Sequence, residues 1–314
     1  MEKRFDIVSI GTALVDSIIK GFNPEPISAS GYRAEACSLH AGGEAVNESV
    51  TAAKLGMRTG ILCFLGIDTA GDLIENTLKG SGVDTELIVR EKDHPTPVTT
   101  MFVREDGSRK SITNSSHRYN FHPEQYLDRI TGTRALILGS LFRAPFDDPE
   151  IVYTVLRFTK EQGIYTVADT KLPNFRTLSL EDIKESLPFV DCITPNEDEA
   201  KFYSKQEDPA KMAEVFLNYG VKSVIIKLGA KGCYYRDCST AVALPAMKIE
   251  AVDATGAGDN LVAGFVSELL RGKNKEEAIR FANACGAICT TKAGAVTALE
   301  NRDQVLKLLQ TNAG

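Results

Sequence analysis

At 314 residues, with 43% hydrophobic and 25% charged residues, the chain has the composition of a globular protein of one or two domains with a large core. Its net charge of −6 argues against a nucleic-acid binder, which would carry a basic face, but leaves room for an anionic substrate held at a local positive site. No run approaches membrane-spanning length and the first apolar stretch is too short for a signal peptide, so a cytoplasmic protein with neither membrane nor nucleic-acid partner is expected.

The seven cysteines (Cys37, Cys63, Cys192, Cys233, Cys238, Cys285 and Cys289) form no CxxC pair. An odd count without zinc spacing reads as reduced, mostly buried thiols. Cys285 and Cys289 lie one helical turn apart, but no histidine is near them in sequence, so packing is their reading.

In chain order, Phe5 to Ile10 predicts a first strand ending at Gly11. Leu14 to Ile19 continues as extended chain, which puts Asp16 just beyond a strand end, where α/β sheets place ligands. A turn or capping aspartate is the alternative. After an irregular piece with Pro24 and Pro26, and Ala34 to His40, comes AGGEAVN, with Gly42 and Gly43 leading into a helix read over ESVTAAKLG. Glycines there let the backbone approach a ligand, and Asn47 offers the donor and acceptor that hydroxyl recognition needs. A tight turn with a capping Asn would use the same residues.

Gly60 to Gly66 reads as one buried strand and Asp68 to Lys79 as a helix ending at Gly80. This alternation suits a mostly parallel sheet covered on both faces. It is interrupted by Thr99 to Val103 and Lys110 to Thr113, which flank an Asp-Gly turn of hairpin type. Strands without intervening helices suggest a separate small sheet, a lid built from segments near 12–40 and 95–120 on a single 1–314 α/β domain. Its exposed edges could pair between chains, which would make a homodimer through the lid.

Alternation resumes with a strand at Arg134 to Ser140, helix 148–162, strand 164–168 with Asp169 just past its end, helix 181–187, and a strand at Phe189 to Ile193. TPNEDEA follows, whose acids could hold magnesium or could simply complement a helix dipole. After helix 209–219, the strand Lys222 to Leu228 runs into Gly229-Ala230-Lys231-Gly232, and Cys233 to Tyr235 is extended, with a hairpin at Arg236-Asp237.

The stretch VDATGAGDNLVAGFVSELL then joins a glycine-rich turn to an apolar helix, with Val262, Phe265, Val266, Leu269 and Leu270 on one face. Unpaired N–H groups and the positive dipole end make such a helix mouth suitable for a phosphate. A carboxylate there, Asp259, reads either as a base for the attacking hydroxyl or as an acid balancing the dipole. Helix 275–290 and a terminal helix from Arg302 end the chain.

Taken together, AGGEAVNESVTAAKLG, TPNEDEA, IKLGAKG, DATGAGD and FANACGAICTTKAGA resemble the PfkB-type (ribokinase-like) carbohydrate kinases over essentially the full length. The resemblance implies a three-layer α/β ribokinase-like fold with a small β-sheet lid, and ATP-dependent phosphorylation of a sugar or sugar-like primary alcohol. Asp259 would be the general base, and the N–H groups around Gly256, Ala257 and Gly258 the anion hole. Asp16, Gly42, Gly43 and Asn47 match positions that hold sugar hydroxyls. Asn196 and Glu199 match residues that orient magnesium and phosphates, often through water, and Lys227, Gly229, Gly232 and Asn283 lie where the family binds ATP. Family members often bind a monovalent cation such as potassium; Asp253 would be its side-chain ligand, assisted by carbonyls of the Lys292–Ala295 loop. GxxxxGK[ST] is absent, so no P-loop is implied.

Three departures mark this chain. Glu44 stands where ribokinases usually carry Lys, Asn260 where a small hydroxyl residue is common, and VADTKLPNFR only loosely resembles the Asp-x-Asn-x-Arg element of fructokinases and ketodeoxygluconate kinases. Arg143, Lys171 and Arg176 read either as ligands for an acidic substrate group or as solvated surface charge. A nucleoside kinase of the same fold and a non-catalytic sugar- or nucleotide-binding regulator are the competing functions. Missing GxGxxG after the first strand counts against a dinucleotide oxidoreductase.

Overall fold

A computed structural model describes residues 4–21, 33–104, 109–114, 121–174 and 176–312, with Arg109 through its backbone alone. The Pro24–Pro26 piece, the Asp-Gly turn and the end of the second lid segment lie outside the described residues.

The chain begins with β1 (Ile7–Ile10), β2 (Leu14–Lys20), β3 (Ala36–Gly42), α1 (Glu44–Lys54), β4 (Thr59–Leu62), β5 (Phe64–Gly66) and α2 (Thr69–Gly80). It continues through β6 (Val89–Glu91), β7 (Val98–Val103), β8 (Arg109–Thr113), β9 (Ala135–Leu141), α3 (Pro149–Glu161), β10 (Tyr165–Thr170) and β11 (Cys192–Ile193). The last third holds α4 (Glu197–Ser204), α5 (Pro209–Asn218), β12 (Ser223–Lys227), β13 (Cys233–Asp237), β14 (Ala241–Leu244), α6 (Ala257–Leu270), α7 (Lys275–Cys289) and α8 (Arg302–Thr311).

An eight-stranded sheet runs β14-β13-β12-β11-β10-β9-β1-β4. From β12 to β4 every pairing is parallel, and the β13–β14 hairpin adds an antiparallel edge. Successive residues of a strand face opposite sides, and the apolar runs of the central strands feed both. Ile7, Ile137, Val167 and Ile225 pack with Val262, Phe265 and Val266 of α6 and Ile279 of α7. Val8, Leu136, Leu138, Val224 and Ile226 pack instead with Val152, Val155 and Leu156 of α3 and with Met212 and Phe216 of α5. The result is two helical layers around one sheet. No helix among the described residues is long and apolar enough to cross a membrane.

A second sheet, β3-β2-β7-β8, holds the hairpin read from the sequence; β2 pairs antiparallel with β3 and parallel with β7. Asp16 lies inside β2 of this sheet, opposite His40, rather than beyond a strand end.

Several element boundaries differ from the sequence reading. The Gly60–Gly66 run is two strands broken at Cys63: β4 stays in the main sheet, whereas β5 pairs only with β6. Helix 181–187 is replaced by short 3₁₀ turns at Glu181–Ile183 and Leu187–Phe189, because Pro188 lacks an N–H and disfavours a helical residue before it. These turns also shorten the following strand to Cys192–Ile193. Helix α1 starts at Glu44 behind an N-cap at Gly43, so Asn47 sits in its first turn and is not a cap. Asp169 belongs to β10 itself.

Candidate active site

Helix α6 opens at Gly256, whose φ of 77° belongs to the left-handed region that glycine tolerates; a Cβ there would overlap that of Ala295. The N–H of Ala257 donates to Ala254 O at 3.2 Å, whereas among the described residues those of Gly256 and Gly258 have no acceptor within the chain. They remain available to an anion, at the positive end of a 14-residue helix. A Cβ on Gly258 would lie 3.2 Å from the Lys227 ammonium, so a lysine stands directly at this helix mouth.

Asp259, third in the helix, is buried. Its Oδ2 accepts a 2.7 Å hydrogen bond from Asn47 Nδ2. Burial pushes the carboxyl above the ordinary aspartate range and the nearby Glu44 and Asp169 add to this, while Lys171 and the Asn47 bond pull the other way.

Asn47 reaches Asp259 because the mouth of α1 faces the mouth of α6. Gly43 makes that turn with a φ of 96°, and at Gly42 a Cβ would overlap the Asp16 carboxylate. The Gly-Gly pair is thus the place where the small sheet crosses α1. Burial, together with the neighbouring Glu44, raises Asp16 to about 6.

A buried charge network lies behind these groups. Glu44 pairs with Lys171 at 3.3 Å and accepts from Ser140 Oγ at 2.8 Å. Burial alone would raise the Glu44 carboxyl; Lys171, the helix N–H and Ser140 outweigh it and hold it at about 2. Asp169 is fully buried; its Oδ1 accepts from Thr194 Oγ1 at 2.6 Å and from the Lys227 ammonium, and its Oδ2 lies 3.8 Å from Lys171. Glu48 is also fully buried, with neither oxygen hydrogen-bonded. Burial, with Asp169, Asp259 and Glu44 close by, raises its carboxyl well above the ordinary range.

On the far side of Lys227 opens a cavity of about 420 Å³, lined by Gly229, Gly232, Gly258 and Asn283 together with apolar residues such as Met247 and Leu261. Asn283 anchors one wall by donating to Pro245 O at 2.7 Å. Four of the five residues assigned to ATP from the sequence therefore meet at one cavity. The fifth, Asn196, does not line it. Asn196 caps α4 in a reciprocal box with Glu199, and Glu199 also accepts from Thr170 Oγ1 at 2.9 Å. Asp253 accepts from Thr255 N at 3.0 Å and from Gly294 N at 3.1 Å, which ties the Lys292–Ala295 loop to the start of the glycine turn.

Of the three basic residues left open between substrate ligand and surface charge, Lys171 alone enters the site, half-buried and paired with Glu44. Arg143 donates to Leu172 O at 2.8 Å, and Arg176 is exposed with Asp148 at 3.2 Å. Glu48 was not singled out by the sequence reading. Its signal was an acid in a helix of small residues, one turn after Glu44 and therefore on the same face. Asp169 and Lys171 carry a comparable signal, since residues two apart in extended chain point the same way.

The geometry brings together a buried carboxylate, a helix mouth with N–H groups that have no acceptor among the described residues, and a cavity of about 420 Å³ that Lys227 lines. This arrangement suits phosphoryl transfer to an alcohol. Residues 4–302 match the model of the pfkB family of carbohydrate kinases, and the chain belongs to that family of ATP-dependent enzymes. It is 29% identical over 277 residues to a ribokinase of Haemophilus influenzae, covering 86% of this chain and 87% of that one. It is 28% identical over 325 residues to a probable fructokinase-5 of Arabidopsis thaliana, covering 98% of each.

Among solved structures, ribokinase of Thermotoga maritima superposes with a TM-score of 0.79 at 26% identity, over 98% of this chain and 99% of that one. Arabidopsis thaliana ribokinase, solved with ribose and ATP, superposes at 0.82 and 24% identity over 99% of each chain. The fold is the ribokinase-like α/β fold, with a mostly parallel main sheet and a separate small sheet.

Proposed function

We propose that the chain transfers the γ-phosphoryl group of ATP to a hydroxyl of a sugar or sugar-like primary alcohol. The observation that carries this reading is the Asn47–Asp259 hydrogen bond, which joins the two glycine-rich helix mouths at the catalytic carboxylate. The alcohol lies against Asp16, Gly42, Gly43 and Asn47. Asp259 removes its proton as the oxygen attacks the γ-phosphorus, the bond to the β–γ bridging oxygen breaks, and ADP leaves. The free N–H groups at Gly256 and Gly258 receive the charge that spreads over the transferring oxygens.

ATP occupies the cavity at Lys227, Gly229, Gly232 and Asn283. Asn196 and Glu199, paired at the start of α4, are the acid and amide assigned to magnesium. Because their side chains already bond each other and Thr170, they fit a magnesium ion held through water rather than directly. That ion, when bound with ATP, supplies further neutralisation of phosphate charge. Asp253, next to the carbonyl-rich 292–295 loop, is the side chain suited to potassium.

The β3-β2-β7-β8 sheet acts as the lid. Its outer strands carry Leu39 and Ile112 at 61% and 69% exposure, which supports pairing of two chains through it.

An ADP-release screen over ketoses, aldoses, sugar acids, sugar phosphates and nucleosides, with and without potassium, tests the reading. Transfer to a sugar is expected. Preference for a nucleoside would reassign the acceptor, and no transfer to any of them would favour a binding protein built on the kinase fold.

A further inference from the structure

We propose that Lys171 is a catalytic residue of the transfer, an ammonium that Glu44 and Asp169 hold against the phosphoryl group as it moves from ATP to the acceptor. The inference rests on the kinase reading above and gives a role to a lysine that the sequence left open between substrate ligand and surface charge.

The positions come from one carboxylate. Asp169 is fully buried between two lysines: Lys227 on its Oδ1 and Lys171 at 3.8 Å from its Oδ2. Lys227 is fixed at the anion-binding mouth by its closeness to Gly258 and also lines the nucleotide cavity. Lys171 extends the row toward the acceptor side, where Glu44 takes its ammonium at 3.3 Å and where Asp259 and Asp16 are the neighbouring carboxylates. The order Lys227, Asp169, Lys171, Glu44 therefore runs from donor cavity to acceptor cleft.

A purely structural role explains this poorly. Two buried ion pairs gain little net stability over a packed apolar pair, because desolvation offsets the attraction. The Lys171 side chain also keeps 22% of its surface open, so the row is not sealed. An ammonium has three donors on a flexible stem. Glu44 takes one of them at 3.3 Å, and Asp169 Oδ2, at 3.8 Å, attracts the charge without a hydrogen bond, so donors remain for a phosphoryl oxygen. Transfer spreads negative charge midway between leaving and attacking oxygens, and a fixed cation there is worth most in the transition state.

The test uses the full-length enzyme with an acceptor on which the wild type turns over. Lys171→Met should lower kcat about a hundredfold or more while ADP, titrated calorimetrically, binds as to the wild type. Lys171→Arg keeps the charge and should recover part of the rate. The double variant Glu44→Gln/Lys171→Met removes both charges of the pair and should stay as slow as Lys171→Met. Should Lys171→Met fail to fold, Lys171→Arg and the double variant carry the measurement.

A kcat for Lys171→Met within about threefold of wild type would overturn the proposal, as would restoration of kcat in the double variant, which marks a pair needed only for packing. If the wild type transfers to no acceptor, the kinase reading itself falls and takes this role with it. A slow Lys171→Met beside an active wild type upholds both.

Discussion

Asn47 and Asp259, 212 residues apart, meet in a 2.7 Å hydrogen bond at a buried junction of two helix starts. The amide does two things to the carboxylate: it fixes the orientation of Oδ2, and it favours the charged form against the burial that raises its pKa. Asn47→Ala should therefore lower kcat by about tenfold and move the acid limb of the rate profile to higher pH, since Asp259 would need a higher pH to ionise. A pH–rate profile on both enzymes checks it. An unmoved acid limb would remove Asn47 from this role.

Asp259→Asn keeps the shape and deletes the base. Its kcat should fall about a hundredfold or more, in line with general-base contributions of ~10²–10⁴, while ATP affinity is kept. Near-normal turnover would show that the proton leaves by another route.

Gly256→Ala places a methyl group into Ala295 at a backbone angle that glycine alone takes cheaply. The strain of about 1–3 kcal/mol should appear as a lowered melting temperature. Because the turn also aims the free N–H groups, kcat should fall more than stability alone explains. Equal loss at Gly272→Ala, which has positive φ but open space around it, would argue for a general backbone effect instead.

Much of this site was legible as residue order. Gly42 and Gly43 close β3 of the small sheet, Gly229 follows the parallel-paired β12, and Gly256 follows the antiparallel β13–β14 hairpin, so glycine-marked turns from different parts of the fold reach one site. The strand break at Cys63 was not legible, since the apolar run ILCFLG carries no punctuation where the chain leaves one sheet for another. Lys171 was legible only as one of two readings, substrate ligand or surface charge, because its pairing with Glu44 depends on how β10 and α1 pack. Glu48 was hidden for the same reason. Helical spacing shows that two acids share a face, but not that this face meets two aspartates.

Asp16 provides a pH test with a definite sign. Its folded pKa is about 6 against an ordinary 3.8, so its contribution to stability is fully present below the unfolded value and is lost as pH rises through about 6. Asp16→Asn should match the wild type in stability near pH 3.8 and exceed it at pH 8, by on the order of 1 kcal/mol after solvent screening. Acceptor KM should meanwhile rise in the variant at every pH, and in the wild type as pH falls below about 6. Chemical denaturation across this range, with parallel kinetics, checks both.

Asp237 predicts the opposite sign. It accepts from Tyr235 Oη at 2.7 Å, Ser239 N at 2.8 Å and Thr240 N at 2.7 Å, and pairs with Lys275. Burial would raise it, but the Lys275, Tyr235 and Ser239 bonds prevail and hold it below the ordinary range. Its stability is present above the unfolded pKa and is lost as pH falls toward the folded one. Asp237→Asn should be destabilised at pH 7, with the gap narrowing below about pH 4. The β13–β14 hairpin leads directly into the cavity wall at Ala246 and Met247, so ATP KM should rise in the same variant while kcat holds.

The lining of the proposed nucleotide cavity runs from Lys227 to Thr290, whereas the proposed acceptor groups Asp16, Gly42, Gly43 and Asn47 come from the opposite end of the chain. On the kinase reading proposed above, the two substrates would be addressed by separate stretches of sequence, joined through Asp259 and through the Asp169–Lys171–Glu44 row. On that reading, exchange or drift in the first fifty residues is expected to redirect transfer to another alcohol while the phosphoryl donor and the reaction are inherited unchanged.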